Sequence, residues 1–106
     1  MSQLNFIESR FNNSIKMPII NFTSALKRFY PNLHPLSIEG QTVSDVLNKL
    51  DEMYPGMTDY LIDEHGALRH HINIFIGDKM IADRDNLLDN INGEEEILIF
   101  QALSGG

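Results

Sequence analysis

The stretch ILIFQAL, residues 97–103, is apolar at every position but Gln101. A strand turns successive side chains to opposite faces, so Ile97 and Ile99 share one face while Leu98 and Phe100 share the other. An edge strand with one wet face alternates with polar residues; a run apolar on both faces belongs in the middle of a sheet. What surrounds that strand decides the fold.

Working back from it, ADRDNLLDNINGEEE (82–96) reads as an acidic, turn-rich crossing segment that Leu87, Leu88 and Ile91 pin down. HHINIFIGDKMI (70–81) restores alternation, with Ile72, Ile74 and Ile76 on one face, Asn73 and Phe75 on the other, and a turn at Gly77-Asp78. MTDYLIDEHG (57–66) reads as a further helical turn or two ending at Gly66. QTVSDVLNKLDEMYPG (41–56) is the clearest helix, because Val43, Val46, Leu47, Leu50, Met53 and Tyr54 recur at helical spacing as one core-facing stripe. Thr42 and Asp45 form a capping-box pattern at its start, and Pro55-Gly56 forbids continuation. Near the amino end, Ile20 and Phe22 alternate with Asn21 and Thr23, and Leu36 and Ile38 of PLSIEG (35–40) share a face. A polar connection through Lys27, Arg28, Pro31, Asn32 and Pro35 makes these two strands an antiparallel pair.

Strand, strand, helix, strand, irregular segment, strand: this order predicts an α+β domain, a mixed sheet with one main helix packed on one face. It spans residues 17–103, after a loosely ordered, asparagine-rich extension over 1–16 and before a flexible tail over 104–106. A chain of 106 residues suits one such domain. No apolar run approaches the roughly 20 residues of a spanning helix, and MSQLNFIESRFNNSIK (1–16) lacks the pattern of a secretory signal, so a cytoplasmic location without membrane association is expected.

Charge and composition exclude several kinds of chemistry. Fifteen acidic residues against eight basic ones give a net charge of −7, which disfavours nucleic acid and favours a basic partner surface. The absence of cysteine excludes disulfides, thiolate metal sites and a cysteine nucleophile on this chain. His70 and His71 are strand neighbours pointing to opposite faces, and with His65 they make poor metal ligands. Glu94, Glu95 and Glu96 lack the spacing of cation ligands and read as a solvated turn. Ser104, beside two glycines, has nothing to hold a general base against it, and no glycine-rich phosphate loop follows a strand. The chain is not expected to be an enzyme by itself.

Gly105 and Gly106 carry a different chemistry. Glycines let an extended backbone enter a channel that any Cβ would block, and they leave the terminal carbonyl open to attack. A carboxylate is inert until activated. Attack on the α-phosphate of ATP gives an acyl-adenylate, from which a sulfur or nitrogen nucleophile displaces AMP, with the activating enzyme supplying charge and positioning.

With INFTSALKRF (20–29) as first strand and following segment, VSDVLNKLDEMYPG (43–56) as helix, and GEEEILIFQALSGG (93–106) as last turn, strand and tail, the sequence resembles the MoaD/ThiS family of ubiquitin-like sulfur carriers. The resemblance runs from about Met17 to Gly106, and the middle stretch looks most like the branch used in cysteine biosynthesis. It implies a β-grasp fold and a carrier whose Gly106 carboxylate is adenylated by a ubiquitin-activating-type enzyme and converted to a thiocarboxylate. Gly105 supplies tail flexibility, ATP and the sulfur donor are used by the activating partner, no cofactor is bound permanently, and a downstream acceptor enzyme takes the sulfur. Two family patterns are altered: Gln101, Leu103 and Ser104 precede the glycines where proline-x-x-alanine is common, and the turn reads Asn92-Gly93-Glu94-Glu95 where Asp-Gly-Asp-Glu is usual. A partner-binding surface is expected on the face opposite the helix, from Phe75, Leu98 and Phe100, continued by Leu103 and Ser104 along the tail. A protein modifier joined through Gly106 to target lysines, and a noncovalent β-grasp binding module, are the competing functions; a small subunit of a sulfur-transfer synthase is a variant of the carrier reading.

Overall fold

A computed structural model of the chain describes residues 17–92 and 95–102. The extension expected over 1–16, the tail expected over 104–106, Leu103, and the turn residues Gly93 and Glu94 lie outside the described residues. Five strands, β1 (Ile19–Phe22), β2 (Leu36–Ser37), β3 (Ile72–Ile76), β4 (Lys79–Met80) and β5 (Glu96–Gln101), form one sheet in the order β2-β1-β5-β3-β4. Three helices accompany them: α1 (Ser24–Lys27), α2 (Val43–Met53) and α3 (Met57–Leu61).

β5 is central, as its two apolar faces require. It runs parallel to β1, with Ile20 opposite Ile97 and Phe22 opposite Ile99, and antiparallel to β3, with Ile74 opposite Ile99 and Phe75 opposite Leu98. β1 and β2 form the expected antiparallel pair. Val43, Val46, Leu47 and Leu50 of α2 join Ile20, Ile72, Ile74, Ile97 and Ile99 of the sheet in a single buried core. Full burial of each such side chain contributes about 1.5–3 kcal/mol. The α+β mixed sheet with one main helix is the architecture observed.

The start of α2 is held by its own sequence and by the crossing segment. Thr42 Oγ1 accepts from Asp45 N at 3.2 Å, and Asp45 Oδ2 accepts from Thr42 N at 3.2 Å, completing the capping box. Two more amides that a helix start leaves without a partner donate outward, Val43 N to Asp89 O at 3.1 Å and Ser44 N to Leu87 O at 2.8 Å. Leu87 takes a left-handed backbone (φ 60). That conformation costs a leucine about 1–3 kcal/mol, which its buried side chain and its bond to Ser44 offset. Gly40 is needed where the chain passes the helix, because a Cβ there would meet Val46 Cγ2 at 3.0 Å and Asp45 Cβ at 3.2 Å.

Several local expectations are corrected. Met53, expected in the core stripe, is 54% exposed: it is the last residue of α2, whose buried stripe ends at Leu50. The helical segment expected to run to Gly66 stops at Leu61, where Asp63 Oδ1 takes His65 N at 2.8 Å and Ala67 N at 3.1 Å and offers the backbone a turn instead. The connection between β1 and β2 contains α1, whose Ala25 and Leu26 are buried. Beyond Gly77-Asp78 the chain turns back as β4. His70 and His71 lie in the turn before β3, not within a strand, and both are exposed. Leu87 and Ile91 pin the crossing segment, whereas Leu88 is 60% exposed. Glu96 is the first residue of β5, not part of a turn, and Glu95 Oε1 accepts from Asn92 N at 3.0 Å. No helix of the described residues is long and apolar enough to cross a membrane.

Thr42→Ala is expected to lower stability by about 1 kcal/mol, measured by denaturant unfolding, since the cap is lost while the buried stripe remains. A pH signature is also expected. Hydrogen bonds from the Thr58 amide, the Thr58 hydroxyl and the Gly56 amide hold the Asp51 carboxyl below its ordinary value of 3.8, and backbone amides do the same for Asp63 and Asp83. Because the folded values are depressed, this contribution is fully present above 3.8 and is lost as pH falls through the lower folded values. Asp51→Asn should therefore melt below wild type at neutral pH, and the gap should narrow as pH falls below 3.8.

Candidate functional site

The face of β5 turned away from α2 carries Leu98 and Phe100, and the strand register continues that face in both directions. Phe75 lies opposite Leu98, Met80 opposite Phe75, Asn21 opposite Leu98 on the other side, and Asn73 opposite Phe100. The rings of Phe75 and Phe100 meet edge to face, 6.4 Å between centroids and 88° between planes. Phe100 is 37% exposed and Met80 is 54% exposed, while Phe75 and Leu98 are half-buried. These four side chains form a continuous apolar patch across three strands. Its rim is polar and ordered: Asn21 Nδ2 donates to Glu96 Oε1 at 2.8 Å, and Arg84 Nη1 donates to Asn73 Oδ1 at 2.7 Å.

The structure thus brings Phe75, Leu98 and Phe100 together, on the side the strand parity assigned to them. Leu103, Ser104, Gly105 and Gly106 lie outside the described residues. Met80 was missed in the sequence reading. Its signal was present, because a two-residue turn at Gly77-Asp78 pairs residue 76 with 79 and therefore 75 with 80.

The end of β5 is fixed from both sides. On the β1 side Thr23 N donates to Ile99 O at 3.2 Å, and Gln101 N donates to Thr23 Oγ1 at 3.1 Å. On the β3 side Ala102 N donates to His71 O at 2.8 Å. Thr23 precedes α1 as its N-cap residue, yet its side chain caps nothing there; the hydroxyl serves β5 instead. A shallow hollow lined by Thr23, Ser24, Ala25, Phe100, Gln101 and Ala102 lies at this point. The chain reaches residue 103 from a held position beside the apolar patch.

Among the described residues, no group of three or more histidines, aspartates or glutamates is placed to hold a metal ion. His71 packs edge to face on Tyr60, 6.5 Å between ring centroids. His65 Nε2 and Glu64 Oε1 are 3.5 Å apart on an open surface, where such a pair contributes little. The described residues thus present an exposed apolar sheet face beside a hydrogen-bonded end of β5.

The model of the ThiS family matches residues 26–106, a span that includes both helices α2 and α3, the strands from β2 onward, and Gly105-Gly106. No curated protein matches the sequence significantly. Among solved structures, a chain of the Amycolatopsis orientalis BexX/CysO complex is similar at TM-score 0.71 and 18% identity, covering 83% of this chain and 98% of that one. The small archaeal modifier protein 1 of Methanosarcina acetivorans is similar at TM-score 0.69 and 23% identity, covering 87% and 98%. Mycobacterium tuberculosis CysO is similar at TM-score 0.69 and 22% identity, covering 80% and 98%. At these identities the likeness establishes the fold.

Thr23→Val preserves shape and removes the acceptor for Gln101 N. The orphaned amide is expected to cost about 1–3 kcal/mol, read as a lower melting temperature and faster hydrogen exchange at Gln101 than at Ile97 or Ile99. Unchanged exchange at Gln101 would show that the hydroxyl does not hold the strand end.

Proposed function

The chain belongs to the ThiS family, and we propose that it is a sulfur carrier, with its Gly106 carboxylate as the group that is charged and its outer sheet face as the surface partners grip. The observation that carries this reading is the joint placement of the apolar patch and the held end of β5, five residues before Gly106. A carboxylate oxygen of Gly106 attacks the α-phosphorus of ATP and displaces pyrophosphate. A sulfur nucleophile from a donor then attacks the acyl carbon of the adenylate, AMP leaves, and one carboxylate oxygen is exchanged for sulfur. Both steps need cationic groups and exclusion of water around the acyl-adenylate, and a ubiquitin-activating-type enzyme provides them. ATP and the sulfur donor are its substrates.

On this reading the chain's own residues bind and position. Phe75, Leu98, Phe100 and Met80 bury against the activating enzyme, and later against the acceptor enzyme. Thr23 holds Gln101 and His71 holds Ala102, so that Leu103 and Ser104 lead Gly105 and Gly106 into the active site. The absence of cysteine leaves no internal thiol to intercept the activated acyl group. Two of the similar structures contain CysO, one of them in complex with BexX, in keeping with the cysteine-biosynthesis branch that the middle stretch resembles and with work alongside a partner. A second reading, a modifier joined to lysines, draws on the similarity to small archaeal modifier protein 1. It uses the same activation and differs in the final nucleophile, so conjugates of higher mass in cell extracts separate the two.

The direct test is intact mass spectrometry after incubation with ATP, a sulfide source and the host's activating enzyme. A gain equal to the exchange of one oxygen for one sulfur is expected, and none when Gly106 is deleted; no gain, with the enzyme active on another carrier, would refute the carrier reading. Phe75→Glu should weaken binding to that enzyme at least about tenfold with the melting temperature little changed, as removal of a central interface contact does. Equal affinity in a titration would remove the outer face from the proposal.

A further inference from the structure

Arg84 lies in the crossing segment between β4 and β5 and is half-buried. Its Nη1 donates to Asn73 Oδ1 at 2.7 Å, and its Nη2 donates to Arg69 O at 2.7 Å and to Leu68 O at 3.4 Å. All three acceptors are neutral. A guanidinium drawn partly out of water commonly finds a carboxylate, and this chain has fifteen acidic residues against eight basic ones. Yet among the described residues the one ion pair within 4.0 Å is His65 with Glu64. Among the described residues, Arg84 is thus held by neutral acceptors with no carboxylate within 4.0 Å. Its three bonds also leave the Nε–H and one Nη1–H without an acceptor among the described residues.

The position of this cation gives it meaning. Asn73, which anchors it, lies opposite Phe100 on the outer face, one row along the strands from Phe75 and Leu98. The guanidinium therefore stands at one corner of the apolar patch. Apolar contact alone holds a partner without fixing its orientation, whereas a single charge at one corner fixes register. We infer that Arg84 is the specificity-determining charge of this face, and that the activating-enzyme surface covering Phe75, Leu98, Phe100 and Met80 carries a carboxylate that meets the Arg84 guanidinium.

This inference rests on the carrier reading. The charge of the whole chain sharpens it. At −7, the chain repels a carboxylate-bearing surface in general and rewards it only where a local cation faces it, which is discrimination by repulsion as well as attraction. The side-chain ordering that an arginine normally undergoes on binding is already complete, because three bonds hold it in the free chain.

The test is a titration of the host's activating enzyme with the full chain as wild type, Arg84→Gln and Arg84→Lys, at about 0.05 M and about 0.5 M salt, with melting temperatures recorded alongside. Arg84→Gln should bind about tenfold more weakly than wild type at the low salt, the difference should shrink to about twofold at the high salt, and Arg84→Lys should recover most of the loss. Wild-type binding with an unchanged Gln variant, or with a loss equal at both salts, overturns the inference alone and leaves Arg84 as a tie between the crossing segment and β3. Absence of wild-type binding overturns the carrier reading and this inference together. Should Arg84→Gln not fold, the Arg84 Nε–H resonance of the wild-type chain decides: a downfield shift on addition of the enzyme is expected, and an unmoved resonance in the complex overturns the assignment.

Discussion

Ile97 and Ile99 sit on a strand that is hydrogen-bonded along both edges, parallel to β1 and antiparallel to β3, and covered on one face by α2. Because side chains alternate, that one placement fixes three things at once. It commits the isoleucines to the core, it leaves Leu98 and Phe100 on the open face, and it delivers the chain to Ala102 in an extended form held by Thr23 and His71. A slip of one residue would invert all three. Burial of the isoleucines is what prevents the slip, so the outer apolar face and the position of Ala102 are maintained by the same hydrophobic contacts that maintain the fold.

α2 has to lie across the sheet for this to work, and its start is secured unusually well. Its first amides are taken by the Thr42–Asp45 capping box and by two carbonyls of the crossing segment, those of Leu87 and Asp89. The strained backbone of Leu87 is the local cost of turning its carbonyl to Ser44 while its side chain enters the core. The same segment continues to Arg84 and so joins the helix on one face of the sheet to the polar corner on the other. The helix start and the rim of the outer face share a single piece of chain here.

How much of this could be read in advance depends on the length of the signal. α2 was legible because its stripe runs over three turns and both ends carry capping chemistry, and β3 and β5 were legible from five- and six-residue patterns. The patch residues Phe75, Leu98 and Phe100 followed from parity alone. By contrast, α1 has four residues and β4 has two, too few to show a period, and each owes its form to neighbours: Leu26 to the core, Met80 to Phe75 across the turn. The exposure of Met53 and Leu88 was illegible for a related reason, since periodicity assigns a face but does not say where the covering layer ends. Arg84 gave no sequence signal at all; its bonds to Asn73 and to the carbonyls of Leu68 and Arg69 exist only once the hairpin has formed.

A carrier differs from an enzyme in that its chemistry is done to it. What it must supply is a surface that a partner recognises and a terminal group that the same partner can reach, at a constant distance from each other. On the proposed reading, the outer face meets the first demand and the fixed position of Ala102 serves the second. The most direct measurement is ATP–pyrophosphate exchange catalysed by the host's activating enzyme in the presence of this chain. Label from pyrophosphate should enter ATP with the native chain and should fail to do so when Gly105 and Gly106 are removed, although the truncated chain still binds through its outer face. Exchange that continues without the two glycines, or that never occurs with an enzyme proven active on another carrier, would contradict the view of Gly106 as the activated group.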